Sequence, residues 1–417
     1  LMTGRVNSGM LFAKGTPLVT GIPRFAVLAV MILVGTGCQP AAPPAPPKVQ
    51  QTEGPFHVYP GDDIQRALDK AAAATGNRTV IVHEGTYGPR LRGFAFLSLT
   101  APHDGVQLIA DGDVTLSARP MLMSGQGEAA IVNHILYCGD GLTNRTLIQG
   151  FRLTGTDGFV CQERVPEESY GERTPSLRKG LFFFLDGGGL KLFGQSAPVF
   201  EQVTFVDNLT SLCGGGANVD QQGFNDEPIR FQNCLFLGND CPGTGAAIDI
   251  LEGTSVVVDN CLFVRNISNF GMDNLLAKFG LSYNSEHGSG AITVFANAKL
   301  KLTRSTFVDN WNGIDDRGTG NVIVGCIFRN NDQWDQSRPK GPYELDITDA
   351  SGVKGCFIHG PVPDLQQTID RTENHFDAPD PDFDESWVPR HPDYADVGFR
   401  PLEGQAEEIR RWRQLQP

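Results

Sequence analysis

Phe205-Val-Asp-Asn208 is the first of five copies of a short unit that recurs along this 417-residue chain. In each copy a Phe stands three residues before an Asn, and the steps from one Phe to the next are 31, 27, 44 and 21 residues. Repeats of about 20 to 50 residues are typical of solenoids, so the recurrence predicts stacked units in place of separate domains. The later copies are Phe236-Leu-Gly-Asn239, Phe263-Val-Arg-Asn266, Phe307-Val-Asp-Asn310 and Phe328-Arg-Asn-Asn331.

A cysteine stands two residues before the Phe in three copies, as Cys234, Cys261 and Cys326, and a weaker copy has Cys356 before Ile358. Residues two apart in a β-strand point to the same face, and Cys and Phe both prefer burial. The Asn is expected at the strand end, where it tolerates a left-handed turn conformation. The pattern predicts ladders of Phe, free Cys and Asn along coils about 4.8 Å apart.

Residues 56–87 predict a strand, an amphipathic helix and a second strand. Asp62 is placed to cap the helix, and Thr79–Tyr87 has the apolar pattern of a strand that ends in a turn. The apolar residues that share one face of the helix are Ile64, Ala67, Leu68 and Ala71.

This opening and the repeats together resemble right-handed parallel β-helix proteins of the pectin-lyase-like superfamily, over roughly residues 55–360. In that family a Pro-Gly turn, here Pro60-Gly61, precedes a helix that covers the first coil. The resemblance implies an all-β chain, a single-stranded right-handed parallel β-helix with an N-terminal capping helix. The expected domain spans residues 55–400, followed by a helical tail at 401–417. The fold alone does not select an activity, because one fold hosts many.

The N-terminal region predicts export. Arg24 is followed by the ten apolar residues 25–34 and then by Gly35-Thr-Gly-Cys38, so residues 1–37 have the pattern of a signal peptide. The Gly-Cys end resembles a bacterial lipoprotein signal, in which Cys38 is lipidated, and residues 38–54 form a Pro/Ala-rich linker. The expected location is the outer membrane or cell surface, with the periplasm or the extracellular space as alternatives. The lipid would anchor the protein to the membrane, which is therefore an expected partner.

The acidic composition of the chain limits the kinds of molecule that it can bind. The chain has 34 Lys and Arg against 48 Asp and Glu, a formal charge of −14, so nucleic acid is excluded as a general partner. A monomer is expected.

The remaining cysteines lie in irregular stretches, and export would permit a disulfide among them. Sequence alone does not pair these residues, which are Cys138, Cys161, Cys213 and Cys241.

Three segments upstream of the Phe units begin with Gly-x-Gly-Ala: Gly214–Asp220, Gly243–Asp249 and Gly288–Val294. A fourth, Asn312–Asp315, fits the end of the pattern. Aligned in this way, three aspartates form one outward column that Val294 interrupts, and they are candidate catalytic residues. They are Asp220, Asp249 and Asp315.

Carboxylates one coil apart would lie about 5 Å from each other, a spacing that raises one pKa or recruits a cation. Asp220 and Asp249 are therefore candidate calcium ligands, or an acid–base pair for polysaccharide hydrolysis. His287, Asp316 and Arg317 flank the column as further catalytic candidates, with Arg317 suited to a uronate carboxylate or to the base of a lyase. The alternative for each Asp is a hydrogen bond to its own turn, and for His287 an ordinary surface position.

Three functions stay open at this point. The first is an enzyme, a polysaccharide lyase or a glycoside hydrolase, that acts on an extracellular polysaccharide. The second is a non-catalytic glycan-binding protein, and the third is an adhesive or structural surface lipoprotein. Fold analogy favours the first. The polygalacturonase-like motifs favour the second and third, because Asp315-Asp316 follows His287-Gly288 where that family has the reverse order.

Overall fold

The computed structural model describes residues 53–122, 124–167, 180–270, 288–332, 342–362 and 369–416. The expected signal peptide, Cys38, most of the linker and His287 lie outside these ranges. In chain order the strands are β1 Phe56–Val58, β2 Thr79–Tyr87, β3 Gly93–Leu99, β4 Gln107–Ser117, β5 Met121–Leu122, β6 Gly125–Gln126, β7 Val132–Cys138, β8 Leu147–Thr154, β9 Leu190–Phe193, β10 Val199–Glu201, β11 Thr204–Val206, β12 Ala217–Asp220, β13 Ile229–Gln232, β14 Leu235–Leu237, β15 Ile248–Ile250, β16 Ser255–Asp259, β17 Leu262–Val264, β18 Ile292–Val294, β19 Lys299–Thr303, β20 Thr306–Val308, β21 Ile314–Asp316, β22 Val322–Val324, β23 Ile327–Arg329, β24 Leu345–Ile347, β25 Val353–Lys354 and β26 Phe357–Ile358. The α-helices are α1 Ile64–Ala73, α2 Leu181–Leu185 and α3 Gln405–Leu415, and the 3-10 helices are Ala101–His103 and Pro392–Tyr394.

Two large parallel sheets organise these strands, one of sixteen strands and one of eight. From β9 onward each pass of the chain adds one strand to the eight-stranded sheet and two to the sixteen-stranded sheet, an arrangement compatible with a parallel β-helix. The eight-stranded sheet has the order β3-β7-β9-β12-β15-β18-β21-β24. The sixteen-stranded sheet has two arms that meet at β8, and the arm that carries the repeated Phe, called the Phe arm here, is β11-β14-β17-β20-β23-β26.

The Phe ladder is confirmed. The repeated Phe residues pair in register on neighbouring strands, and each ring stacks on the next with centroids 4.3 to 4.9 Å apart. Ile358 continues the column, and Leu153 precedes it on β8. The stacked rings lie in the main hydrophobic core, so they remove a continuous apolar surface from water.

The asparagines form a continuous buried ladder. One Nδ2 hydrogen of each Asn bonds to the Oδ1 of the next, at 2.7 to 3.1 Å, and Nδ2 also donates to a backbone carbonyl of the preceding coil. The Oδ1 atoms also accept from the backbone N–H of the preceding ladder residue. Burial of the amides is therefore compensated along the whole row. The members are Asn208, Asn239, Asn266, Asn310 and Asn331.

The prediction that these asparagines adopt the left-handed turn conformation is wrong by one position. The residues with positive φ are those directly before each Asn, at φ values from 49° to 61°, while the Asn itself is buried. A polar group at the corner is needed because the strand has ended and its backbone requires a partner inside the coil. The left-handed residues are Asp207, Gly238, Arg265, Asp309 and Asn330.

Glu344 ends the ladder. Its two carboxylate oxygens accept from the side-chain and backbone N–H groups of Asn331, in the place that a further Asn would occupy. The side chain is buried, and this burial raises the pKa of Glu344 to about 7. The last rung of the ladder thus carries a group whose charge changes near neutral pH.

The cysteine ladder is also confirmed, with one substitution. Cys234 and Cys261 lie on neighbouring coils, where the N–H of Cys234 points at the sulfur of Cys261 at 3.3 Å. Ser305 takes the next place and accepts from the N–H of Cys261 at 3.1 Å. Within the described ranges the cysteines are buried and the structure assigns none of them to a disulfide, including the four that were candidates for one: Cys138, Cys161, Cys213 and Cys241.

The helix α1 packs on the first strands with the predicted face buried. The capping residue is Asp63, whose Oδ1 accepts from the N–H of Arg66 at 3.1 Å. Asp62 instead accepts from the N–H of Tyr59 and closes the preceding turn, so the expectation for Asp62 was wrong by one residue. The position of the helix places its apolar side over the N-terminal part of the core.

The C-terminal helix α3 covers the outer face of the Phe arm. Ile409 and Trp412 form a second hydrophobic cluster with outward residues of that arm such as Leu237 and Leu262. The indole N–H of Trp412 donates to Asp207 at 2.9 Å. None of the described helices is long and apolar enough to cross a lipid bilayer.

Asn266→Ala tests the asparagine ladder. Removal of this amide takes the acceptor from one Asn239 Nδ2 hydrogen and one donor from Asn310 Oδ1 in a buried site, so we expect a loss of about 2 to 4 kcal/mol in the free energy of unfolding. Urea denaturation followed by circular dichroism measures it. Lys301→Ala, at an exposed strand position, is the control and should stay within about 0.5 kcal/mol of the parent. Equal values for the two variants would contradict a stabilising ladder.

Glu344→Gln tests the ladder end. The pKa of Glu344 is higher in the folded chain than in the unfolded chain, so its contribution to stability is complete at low pH and is lost as pH rises toward and through about 7. A glutamine keeps an acceptor for Asn331 and cannot ionise. The stability difference between Glu344→Gln and the parent should therefore shift in favour of the variant between pH 5 and pH 8. Thermal unfolding at the two pH values measures this shift, and a pH-independent difference would contradict it.

Candidate functional site

A polar column runs along the face of the eight-stranded sheet that points away from the core. Strand alternation places Ile248 and Ile250 in the core and Asp249 on the opposite face. From the first coil to the last, the residues that pair in register with Asp249 on this face are Ser98, Tyr137, Lys191, Asn218, Thr293, Asp315 and Asp346.

The sequence alignment of the aspartates was wrong for Asp220. Asn218, and not Asp220, pairs with Asp249, and Asp220 lies two residues further along β12 opposite Phe193. Thr293, and not Val294, stands between Asp249 and Asp315.

The cause of this error is the turn before the strand. The first glycine of the triplet at Gly214 has φ +69°, and the glycine with the matching conformation in the next coil is Gly245 at φ +59°, not Gly243. The N–H of Gly214 donates to the carbonyl of Thr244, which fixes this register. An alignment on the shared letters is therefore displaced by two residues.

Lys191, Asn218 and Asp249 are linked by hydrogen bonds across three coils. Lys191 Nζ donates to Asn218 Oδ1 at 2.6 Å, and Asn218 Nδ2 donates to Asp249 Oδ2 at 3.0 Å. Thr244 Oγ1 donates to the other oxygen of Asp249 at 2.7 Å. Lys191 is only 1% exposed, and its Nζ lies 3.9 Å from Asp186 Oδ2. The buried lysine thus orients the amide that in turn holds Asp249.

An open pocket of about 760 Å³ lies beside this linked group. We call it the acid pocket, because its lining includes four carboxyl groups, those of Asp186, Asp220, Asp249 and Glu252. Phenylalanine rings form much of the remaining wall: Phe182 and Phe224 are 43% and 51% exposed, and Phe295 is half-buried.

Burial raises the pKa of the three aspartates of the acid pocket. It raises the pKa of Asp186 to about 7 and is the largest cause of the raised pKa of Asp220. The pKa of Asp249 is raised well above its usual value by burial first and then by the charge of Asp186. Asp186 therefore titrates near neutral pH, and Asp249 holds its proton more tightly than an ordinary aspartic acid does.

The pair Asp220 and Asp249 does not fit a calcium site. Calcium needs several oxygen ligands converging on one point, whereas both oxygens of Asp249 already accept hydrogen bonds from Thr244 and Asn218. Among the described residues no group of three or more His, Cys, Asp or Glu is arranged to hold a metal ion. We therefore assign no step to calcium.

Asp315 and Arg317 belong to a second group further along the column. Asp315 Oδ2 accepts from the N–H of Gly288 at 2.7 Å and from the hydroxyl of Tyr343 at 3.1 Å. Arg317 Nε lies 3.3 Å from Asp315 Oδ1, and its two terminal nitrogens bind both oxygens of Asp346 at 2.8 and 3.3 Å. Arg317 thus already neutralises two carboxylates of the protein.

Asp316 faces the other way. It pairs with Ile347 and Val294 on the core side of the sheet, where its carboxylate accepts from Asn321 Nδ2 and from the N–H of Gly318. Burial raises the pKa of Asp316 to about 6. Its hydrogen bonds close the corner after β21, which is a structural role. His287 lies outside the described residues.

The sequence-based search missed Asp186, Lys191 and the exposed phenylalanines. One signal was present: Gly187-Gly-Gly-Leu-Lys191 and Gly214-Gly-Gly-Ala-Asn218 have the same spacing, which places Lys191 beside Asn218. Phe182 and Phe224 have no comparable signal, because they reach the pocket from segments outside the strand register.

Comparison with known proteins adds no relative: no family model matches the chain, and no curated protein and no solved structure is significantly similar to it.

Arg317→Ala tests whether this arginine supports the fold. The substitution leaves the buried carboxylates of Asp315 and Asp346 without their cation, so we expect a loss of about 3 to 5 kcal/mol in the free energy of unfolding. Urea denaturation measures it. Arg145→Ala removes an ion pair whose arginine is 76% exposed and should cost less than about 1 kcal/mol. A small loss for Arg317→Ala would instead favour an arginine that is available to a ligand.

Proposed function

We propose that the chain is a right-handed parallel β-helix protein of pectin-lyase-like architecture that hydrolyses an extracellular polysaccharide at the acid pocket. The observation that carries this proposal is the joint presence of buried carboxyl groups and exposed phenylalanine rings in one open pocket. Aromatic rings pack against the apolar faces of sugar rings, and a pair of carboxyl groups serves glycosidic bond cleavage.

The environment of each carboxyl group suggests its role. Asp186 has a pKa of about 7 because it is buried, which suits a general acid that protonates the leaving oxygen of the glycosidic bond. Asp220 is the most exposed of the three aspartates at 6%, and it is the candidate base or nucleophile. Asp249, held by Asn218 and Thr244, supports the pocket wall.

Hydrolysis is favoured over lyase chemistry by the charges of the site. A lyase that removes a proton next to a uronate carboxylate needs a cation to neutralise that carboxylate. The described lining of the acid pocket has no Lys, Arg or His, and Arg317 is occupied by Asp315 and Asp346. The acid pocket therefore supplies acid and base groups without the electrophile that a lyase needs.

A non-catalytic glycan-binding protein is the second candidate. It is favoured by the hydrogen bonds that occupy both oxygens of Asp249 and by the contacts of Asp220 with Gln222, since each carboxyl group has a structural partner. In that case the phenylalanine rings hold a sugar and no bond is broken. An adhesive or structural role on the cell surface belongs to the same candidate.

Export and anchoring form a separate part of the proposal. The signal-like residues 1–37 and Cys38 support a lipoprotein of the cell envelope, with a Pro/Ala-rich tether that keeps the domain clear of the membrane. Labelling of cells with a radioactive fatty acid, compared between the parent and Cys38→Ser, tests the lipid independently of any activity.

Incubation with neutral, amino-substituted and uronate polysaccharides tests the catalytic proposal. We expect new reducing ends without the ultraviolet absorbance of an unsaturated lyase product. Asp186→Asn and Asp220→Asn should each lower the rate by about 100-fold or more, because an amide replaces the acid or the base, and Asp249→Asn should lower it less.

Asp396→Asn, an exposed carboxylate outside the pocket, is the matched control and should keep the parent rate. Activity that all three pocket variants retain would place the reaction elsewhere. Retention of a polysaccharide without any product would favour the non-catalytic candidate.

A further inference from the structure

The charges around the acid pocket point to a particular kind of sugar. Each charged side chain of its described lining is acidic, and among them Glu252 is exposed to solvent. Lys191, the neighbouring base, is buried behind the wall and donates to Asn218 and to the carbonyl of Phe182. A ligand in the pocket therefore meets the exposed carboxyl group of Glu252 and no exposed cation among the described lining residues.

Burial divides these carboxyl groups into two kinds. Asp186 and Asp249 have raised pKa values, because burial disfavours their charged forms. Glu252 is exposed on a turn, where its Oε1 accepts from Asn297 Nδ2 at 2.9 Å. The side of the pocket next to solvent thus carries a carboxyl group whose hydrogen-bond partner is a neutral amide.

The exposed phenylalanine rings of the acid pocket also favour a positively charged ligand. Phe182 and Phe224 expose large parts of their rings to the pocket, and a cation is attracted to the face of an aromatic ring. A neutral sugar gains only the packing contact from these rings. A uronic acid sugar is repelled by the carboxylates, whereas an ammonium group is attracted by both rings and carboxylates.

We infer that the acid pocket selects a cationic sugar residue, one that carries a free amino group, over neutral and uronic acid sugars. This inference rests on the proposed glycan site and names its substrate class. The ammonium lies between Glu252 and the exposed phenylalanine rings. The same charges disfavour the polyanionic glycans that a lyase would take.

Binding of three oligosaccharides of equal length by the full chain tests the inference. The probes are a β-1,4-linked glucosamine pentamer, its fully N-acetylated counterpart and a galacturonic acid pentamer, each measured by isothermal titration calorimetry at pH 6. We expect the glucosamine pentamer to bind at least about tenfold more tightly than the other two, and added salt to reduce this advantage.

Glu252→Gln and Phe224→Ala are the variants of choice, because both side chains are exposed and neither carries the fold. Each should reduce the preference for the glucosamine pentamer several-fold, whereas the exposed Glu403→Gln should leave it unchanged. Asp220→Asn adds a variant that also affects the proposed reaction.

Two outcomes overturn the inference in different ways. Equal or tighter binding of the N-acetylated or the galacturonic acid pentamer contradicts the selection of a cationic sugar and leaves the glycan site intact. Absence of binding for all three pentamers, together with inactivity on every polysaccharide, contradicts both the inference and the proposed function. A preference that Glu252→Gln and Phe224→Ala leave unchanged places the amino-sugar contact outside this pocket.

Discussion

The hydrogen bond between one asparagine amide and the next, repeated along the Phe arm, is the constraint on which the rest of the structure depends. It fixes the lateral register of coils of unequal length, because each Asn also donates to the backbone of the coil before it. The Phe rings can then stack within 5 Å of each other on the inner side. Register, core packing and corner geometry therefore follow from one row of amides.

On the eight-stranded sheet the same register brings together side chains of different chemical types. Neighbouring coils there place Lys191, Asn218 and Asp249 in one column, so a donor, an amide and an acceptor meet at the spacing of a parallel sheet. The strand register fixes the spacing of this column while the side chains in it differ chemically, so the column forms a candidate site. Arg317 and its two aspartates show the other outcome, in which the charges of a column neutralise one another.

Burial links the fold to the chemistry. Segments outside the strands, among them α2, cover the outer face of the eight-stranded sheet, and carboxyl groups that alternation directs outward are withdrawn from water. Their pKa values rise because the charged form loses its hydration. The acid pocket thus depends on two features of the fold. The strand register brings the carboxyl groups together, and the segments that cover the sheet bury Asp186 and Asp249 and so raise their pKa values.

The sequence by itself determined the Phe, Cys and Asn ladders and the buried face of α1, because these depend on short-range spacing that each coil repeats. Tertiary structure decided the alignment of Asp249 with Asn218, since a glycine that takes positive φ at residue 245 shifts the strand by two residues. It also decided the acid pocket, because Phe182 and Phe224 come from segments with no common period. Local periodicity is encoded along the chain, whereas register and cover arise from contacts between distant residues.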